Sequence, residues 1–195
     1  IYLYNSREFT ELMLAQPIRR RELYGATFIG LVLPLAAAAL AGMLIPFLFH
    51  GFGEAQRTTL LVTGVGAAAL TAVFTGIAFC VALRIDDRLA GVGAALGIWL
   101  LLALLYDGAI LLLVAMSSQP LEKALLVTML ANPIDLLRVA LLLQLDVAAL
   151  MGYTGAVFNS FFSSATGLAL IAATLSLWIV APALGAYVTF KRKDF

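Results

Sequence analysis

The chain has 195 residues, 63% of them hydrophobic and 12% charged, whereas an ordinary soluble domain carries about 25% charged residues; a water-soluble globular fold is excluded. Twelve basic and eleven acidic residues leave a formal net charge of +1, so orientation must be read from where the charges fall. His50 is the sole histidine and no GxxxxGK[ST] loop occurs, which excludes an HExxH zinc site, a His-paired nucleophile and a Walker phosphate cradle within these residues.

In chain order, IYLY before NSRE reads like the last turn of an earlier helix, so a preceding N-terminal part is expected; the given residues do not open on the charged leader, short apolar core and small-residue cleavage site of a signal peptide. The stretch 7–23 holds a short two-faced helix, with Phe9, Leu12, Met13 and Gln16 on one side and Arg7, Glu8 and Glu11 on the other, ended by Pro17. Arg19, Arg20 and Arg21 follow. This segment is either an elbow held on anionic lipid by its arginines or a lever gripped by another protein.

A bilayer core about 30 Å thick needs roughly 20 apolar residues per helix. Four runs meet that length: Tyr24 to Phe49, Thr59 to Leu83, Leu89 to Met116 and Thr166 to Tyr187. The expected fold is therefore an all-α polytopic bundle, a single transmembrane domain over 1–195. Pro34, Pro46 and Pro182 are expected to bend their helices, which neighbours tolerate by satisfying freed carbonyls. Gly93 and Gly97 stand at GxxxG spacing, and Gly64, Ala68 and Gly76 recur in the second span; such small residues serve either tight packing within a bundle or a dimer seam. Cys80 lies inside the second span, so no intrachain disulfide is possible.

Asp107, beside Tyr106 in the third span, is a charge that lipid disfavours, so it should face protein and have a partner or a proton. Arg138 is the basic candidate, and the pair is either part of a transport path or gate or a structural ion pair. Between the last two spans, 117–165 is mixed in character and expected to be an outer, re-entrant-like helical region. Within it ANPIDLLRVALLLQLD starts a helix at Asn132, a good N-cap, followed by Pro133 and by Asp135 near the positive end of the helix dipole. MGYTGAVFNSFFSS adds an interfacial aromatic mix. Met13, Met43, Cys80, Met116, Met129 and Met151 are scattered along the sequence, so no metal site is expected.

Basic residues resist translocation. Nine of the twelve, Arg7, Arg19 to Arg21, Arg84, Arg88 and Lys191 to Lys193, fall at one set of loop ends, against Arg57, Lys123 and Arg138 at the other. Both chain ends and the RIDDR loop are thus expected in the cytoplasm.

Thr10, Glu11, Leu12, Leu14, Gln16, Pro17, Ile18, Arg20 and Glu22, in that order, resemble the segment between the second and third spans in membrane subunits of type-two ABC exporters, with Phe9 where that family usually has Gly. The resemblance covers about fifteen residues, and the four spans, the RIDDR loop and the outer region fit the same six-span plan, which makes them the last four of six. It implies a coupling helix that engages an ATPase subunit through Phe9, Glu11, Leu12, Met13, Gln16 and Arg20, with Asp86 and Asp87 of the RIDDR loop facing the same way. No catalytic residue is implied here; ATP and magnesium belong to the partner.

NPIDLLRVALLLQLDVAALMGYTGAVF, with the last span and the ending FKRKDF, is similar to the NosY-type permeases, membrane subunits of the transporter supporting maturation of the copper centres of nitrous oxide reductase. That resemblance implies a homodimer, two NosF-like ATPase subunits and a NosD-like periplasmic protein at a cell inner membrane, with lipid but no nucleic acid as further partner. The alternatives are a type-two exporter for lipid, haem or drug, or a membrane scaffold that only docks maturation factors.

Overall fold

The structure is a computed structural model and describes residues 1–50, 54–116, 122–144 and 165–193. Among the described residues every regular element is helical. Two short helices, α1 (Tyr2–Asn5) and α2 (Arg7–Leu14), precede the long α3 (Arg20–His50) and α4 (Glu54–Arg84). Then come α5 (Arg88–Leu100), a π-helical segment (Leu101–Leu105) and α6 (Tyr106–Met116), which succeed one another without a break, followed by α7 (Glu122–Leu130), α8 (Pro133–Gln144) and α9 (Ala165–Arg192).

Among the described residues four stretches are long and apolar enough to cross a membrane: Arg20–Ile45, Thr59–Arg84, Arg88–Met116 and Thr166–Arg192. They coincide with the four apolar runs of the sequence but reach further into the basic flanks. A helix does not end where hydrophobicity ends. Arg20, Arg84 and Arg192 are good helix formers and stay in register with the spans they flank. Large apolar side chains such as Leu33, Leu61, Leu111 and Leu177 are each more than 60% exposed, a surface that lipid tails suit and water does not. α3 continues through Pro34 and Pro46, and α9 through Pro182.

The chain divides into two compact units. The first comprises Ile1–Gly42, Ala67–Trp99 and Ile179–Phe195. Its core is built on Tyr24, Phe79, Ala186 and Phe190, with the Tyr24 ring 5.5 to 5.9 Å from Phe28, Phe79, Tyr187 and Phe190. The Tyr24 hydroxyl donates to the Ala183 carbonyl at 2.7 Å and Cys80 Sγ to the Pro182 carbonyl at 3.2 Å. Gly76 lets α4 approach α9 closely here: a Cβ on it would lie 3.2 Å from Ala183 N and from Pro182 Cβ. Gly93 and Gly97, by contrast, have nothing within 4 Å of such a Cβ among the described residues, so the expectation of tight packing within the bundle does not hold for that pair there.

The second unit comprises Met43–Gly66 and Leu100–Trp178. Met129, Leu136, Val139 and Ile171 form its core, and the indole of Trp178 donates to the Leu130 carbonyl at 3.2 Å. Gly66 leaves room for Leu137, whose side chain lies 3.1 Å from where a Cβ would stand. Of the mixed region, 117–121 and 145–164, the aromatic stretch 151–164 among them, lie beyond the described residues.

Candidate functional site

In the first unit, three chain segments meet at the basic end of the spans. α2 lies at one side of the Ile85–Asp87 turn, and the C-terminus of α9 at another. Asp86 joins them: Arg7 Nη1 donates to its Oδ1 at 3.1 Å and Lys193 Nζ to the same oxygen at 2.9 Å. These bonds, Lys193 foremost, hold the Asp86 carboxyl below its ordinary pKa. Lys193 also donates to the Leu83 carbonyl at 2.8 Å. Tyr4, just before α2, donates to the Ile85 carbonyl at 2.8 Å; burial, then Asp86 and Asp87, push its hydroxyl pKa upward. Gly91 is required beneath that ring, because any Cβ there would overlap the Tyr4 hydroxyl.

The residues singled out from the sequence separate by task. Phe9 and Leu12 are 56% and 66% exposed; Glu8 and Glu11 are exposed as well, and so is Gln16 past the end of α2, while Thr10, Met13 and Leu14 are half-buried. The side of α2 that packs is thus the one of Thr10, Met13 and Leu14, with Arg7 at its edge reaching Asp86. Glu11 pairs with Arg7 at 3.6 Å one turn away. Arg20 is turned toward the end of α9, where Nη1 donates to the carbonyls of Lys191 at 3.1 Å and Lys193 at 2.7 Å; a cation there meets the negative end of the helix dipole and its orphan carbonyls. Asp87 caps α5, its Oδ1 accepting from the amides of Leu89 at 2.7 Å and Ala90 at 3.1 Å.

A second polar cluster occupies the second unit. Arg138 Nη1 donates to Asp107 Oδ2 and lies 3.1 Å from Asp135 Oδ1. The latter contact is a charge contact without hydrogen-bond alignment, since this buried oxygen accepts no bond among the described residues. One cation therefore serves two carboxylates. Burial first, and Asp107 next, raise the Asp135 pKa to about 6, so near neutrality the cluster carries a proton for part of the time. Asn132, fully buried, uses its whole side chain: Oδ1 accepts from the Ile134 amide at 3.0 Å, and Nδ2 donates to Asp135 Oδ2 at 3.0 Å and to the Leu102 carbonyl at 2.7 Å. Leu102 sits in the π segment, whose irregular ladder makes such a partner valuable. Tyr106 donates to the Thr128 carbonyl at 2.6 Å.

Sequence reasoning paired Asp107 with Arg138 and found the Asn132 cap. It missed the π segment, the part of Asp135 in the cluster and the double pairing of Asp86; only the spacing of Asp135 and Arg138, one helical turn apart, signalled any of these. Among the described residues no group of three or more His, Cys, Asp or Glu side chains is placed to hold a metal ion.

The family model described as "ABC-2 family transporter protein" matches residues 10–195. A Pseudomonas aeruginosa protein named "Probable ABC transporter permease protein NosY" is 31% identical over 197 residues, covering 93% of this chain and 67% of that protein. A Stutzerimonas stutzeri protein of the same name is 28% identical over the same shares.

Proposed function

This chain belongs to the ABC-2 family of transporter proteins, and from that premise we propose that it is the permease of an ATP-driven transporter serving copper-centre maturation of nitrous oxide reductase. The permease has no catalytic residue of its own. Two NosF-like subunits bind ATP and magnesium, a second copy of the permease completes the bundle, and a NosD-like protein meets it on the periplasmic side. The spans lie in a cell inner membrane with the basic end, and so both ends of this chain, in the cytoplasm.

The observation that carries the coupling part of this reading is α2 itself. It presents Phe9 and Leu12 outward while Arg7 fastens it, through Asp86, to the α4–α5 turn and the end of α9. A partner that grips the outward face pulls on the ends of the spans together. The similarity to proteins named NosY favours the copper-maturation substrate class over lipid, haem or drug export. Deleting the permease gene and restoring it tests that class: nitrous oxide reductase should be made without its copper-centre absorbance in the deletion and regain it on restoration. Full copper loading in the deletion would reject the maturation reading, and restoration without any ATPase subunit would favour a docking scaffold.

A further inference from the structure

The basic end of the first unit also holds an open cleft of about 660 Å³ between the ends of α4 and α9. Its lining changes character along the helices. On α9, Leu184, Val188 and Arg192 recur every four residues and so share one face, apolar over about 6 Å and cationic at the end. On α4, Leu83 is followed by Arg84, and Lys193 closes the basic rim. Leu184 and Val188 are 57% and 46% exposed.

Among the described residues that line the cleft the charges do not cancel: the one carboxylate there, Asp86, is held by Arg7 at 3.1 Å and Lys193 at 2.9 Å. Among the described residues Arg84 and Arg192 have no carboxylate within ion-pair distance. Two exposed guanidinium groups thus face one opening beside an apolar strip that belongs to membrane-spanning helices. Guanidinium groups recognise phosphate through paired N–H donors, and basic pockets between spans are where acidic headgroups lodge.

We propose that this cleft binds one anionic phospholipid, its phosphate between Arg84 and Arg192 and an acyl chain along Val188 and Leu184. The shared chemistry with a free phosphate ion is the two guanidinium groups; the apolar strip selects the lipid. The inference depends on the spans lying in a bilayer and not on the copper-maturation reading, so either can fail alone.

The test uses the full-length permease, purified and presented with phosphatidylglycerol or phosphatidylcholine of the same acyl chains, bound lipid being counted by native mass spectrometry. One phosphatidylglycerol should be retained in preference to phosphatidylcholine, and excess inorganic phosphate should not displace it. Arg84→Gln with Arg192→Gln should reduce that retention about ten-fold, whereas Arg19→Gln, at an exposed arginine outside the cleft, should not. Equal retention of the two lipids by the wild-type protein would overturn the proposal, and so would displacement by phosphate, which would make the cleft a free-anion site. An equal loss with Arg19→Gln would mean diffuse attraction to the basic surface, and unchanged retention in the double variant would place the lipid elsewhere; both also overturn it.

Discussion

Asn132 donates its side-chain amide to the carbonyl of Leu102, 30 residues earlier, at 2.7 Å, so the residue that starts α8 also holds the π segment of the third span. A lost N-cap costs about 1 kcal/mol and a buried carbonyl left without a donor about 1 to 3 kcal/mol. Asn132→Ala should therefore lower the thermal midpoint of the purified permease clearly. Asn132→Asp keeps the cap acceptor but cannot donate to Leu102 and adds a carboxylate beside Asp135, so it should not rescue. Thermal unfolding of both variants in detergent checks this, and a midpoint unchanged by Asn132→Ala would mean that the tie to Leu102 contributes nothing.

The carboxylate pair gives a pH dependence of known sign. Asp135 has its folded-state pKa raised to about 6 from 3.8, so its protonated form is the one the fold prefers. The contact of α6 with α8 should weaken as pH rises from about 4 through about 6 and then stay level. The groups facing Asp135 are Asp107 and Arg138, with Tyr106 and Asn132 beside them. Melting measured at about pH 5 and about pH 8 should show the wild type more stable at the lower value, and Asp135→Asn should reduce that difference. A difference that persists undiminished in Asp135→Asn would assign the titration to another group.

The spans and the start of α8 were legible because each is written in consecutive residues: apolar runs of membrane length, and Asn-Pro before a helix. The pairing of Asp107 with Arg138 was legible from cost alone, since one isolated carboxylate and one isolated guanidinium in apolar surroundings need each other. The three-way tie at Asp86 was not, because it joins residues 79 and 107 positions away and surface charges give no pattern that selects one partner. The π segment LLALL left no trace, since a shift in backbone register within a leucine run changes no hydrophobic periodicity. The packed side of α2 was also hidden: the apolar pattern placed Met13 beside Phe9 and Leu12, but Met13 is half-buried with Thr10 and Leu14 while Phe9 and Leu12 are exposed.

Glycine substitutions distinguish the packed stripe from the open one. Gly76→Ala puts a methyl group against the backbone of α9 at Ala183 and against Pro182, which cannot yield as a flexible side chain would, and should destabilise the permease by about 1 to 3 kcal/mol. Gly93→Ala meets no atom of the described residues within 4 Å and improves helix propensity, so it should be neutral or gain up to about 1 kcal/mol. Comparative melting decides, and a loss at Gly93 as large as that at Gly76 would place this face against another chain.

Asp86 is exposed, so solvent screens its ion pairs and they add little to stability, yet it fastens α2 to two other segments. Asp86→Asn should leave abundance and melting nearly unchanged while amide exchange in 7–14 rises. Because pairing depresses this carboxyl below 3.8, the tie is complete above that pH and is lost only as pH falls through the lowered value; at neutral pH it is charged throughout. Exchange in 7–14 identical to wild type would show that Tyr4 alone positions the helix.

In the function proposed here, α2 is the part of this permease that an ATPase subunit holds. Phe9 and Leu12 both point outward, so Phe9→Ser with Leu12→Ser removes two apolar anchors, each worth about 1 to 3 kcal/mol in a groove, without disturbing Arg7 or the spans. The measurement is the amount of ATPase subunit recovered with the double variant, purified at wild-type abundance from membranes. Recovery should fall at least about ten-fold, since 1.4 kcal/mol suffices for that factor, and ATP-dependent maturation should fall with it; wild-type recovery together with wild-type ATP turnover would show that the ATPase subunit does not hold α2 by these residues.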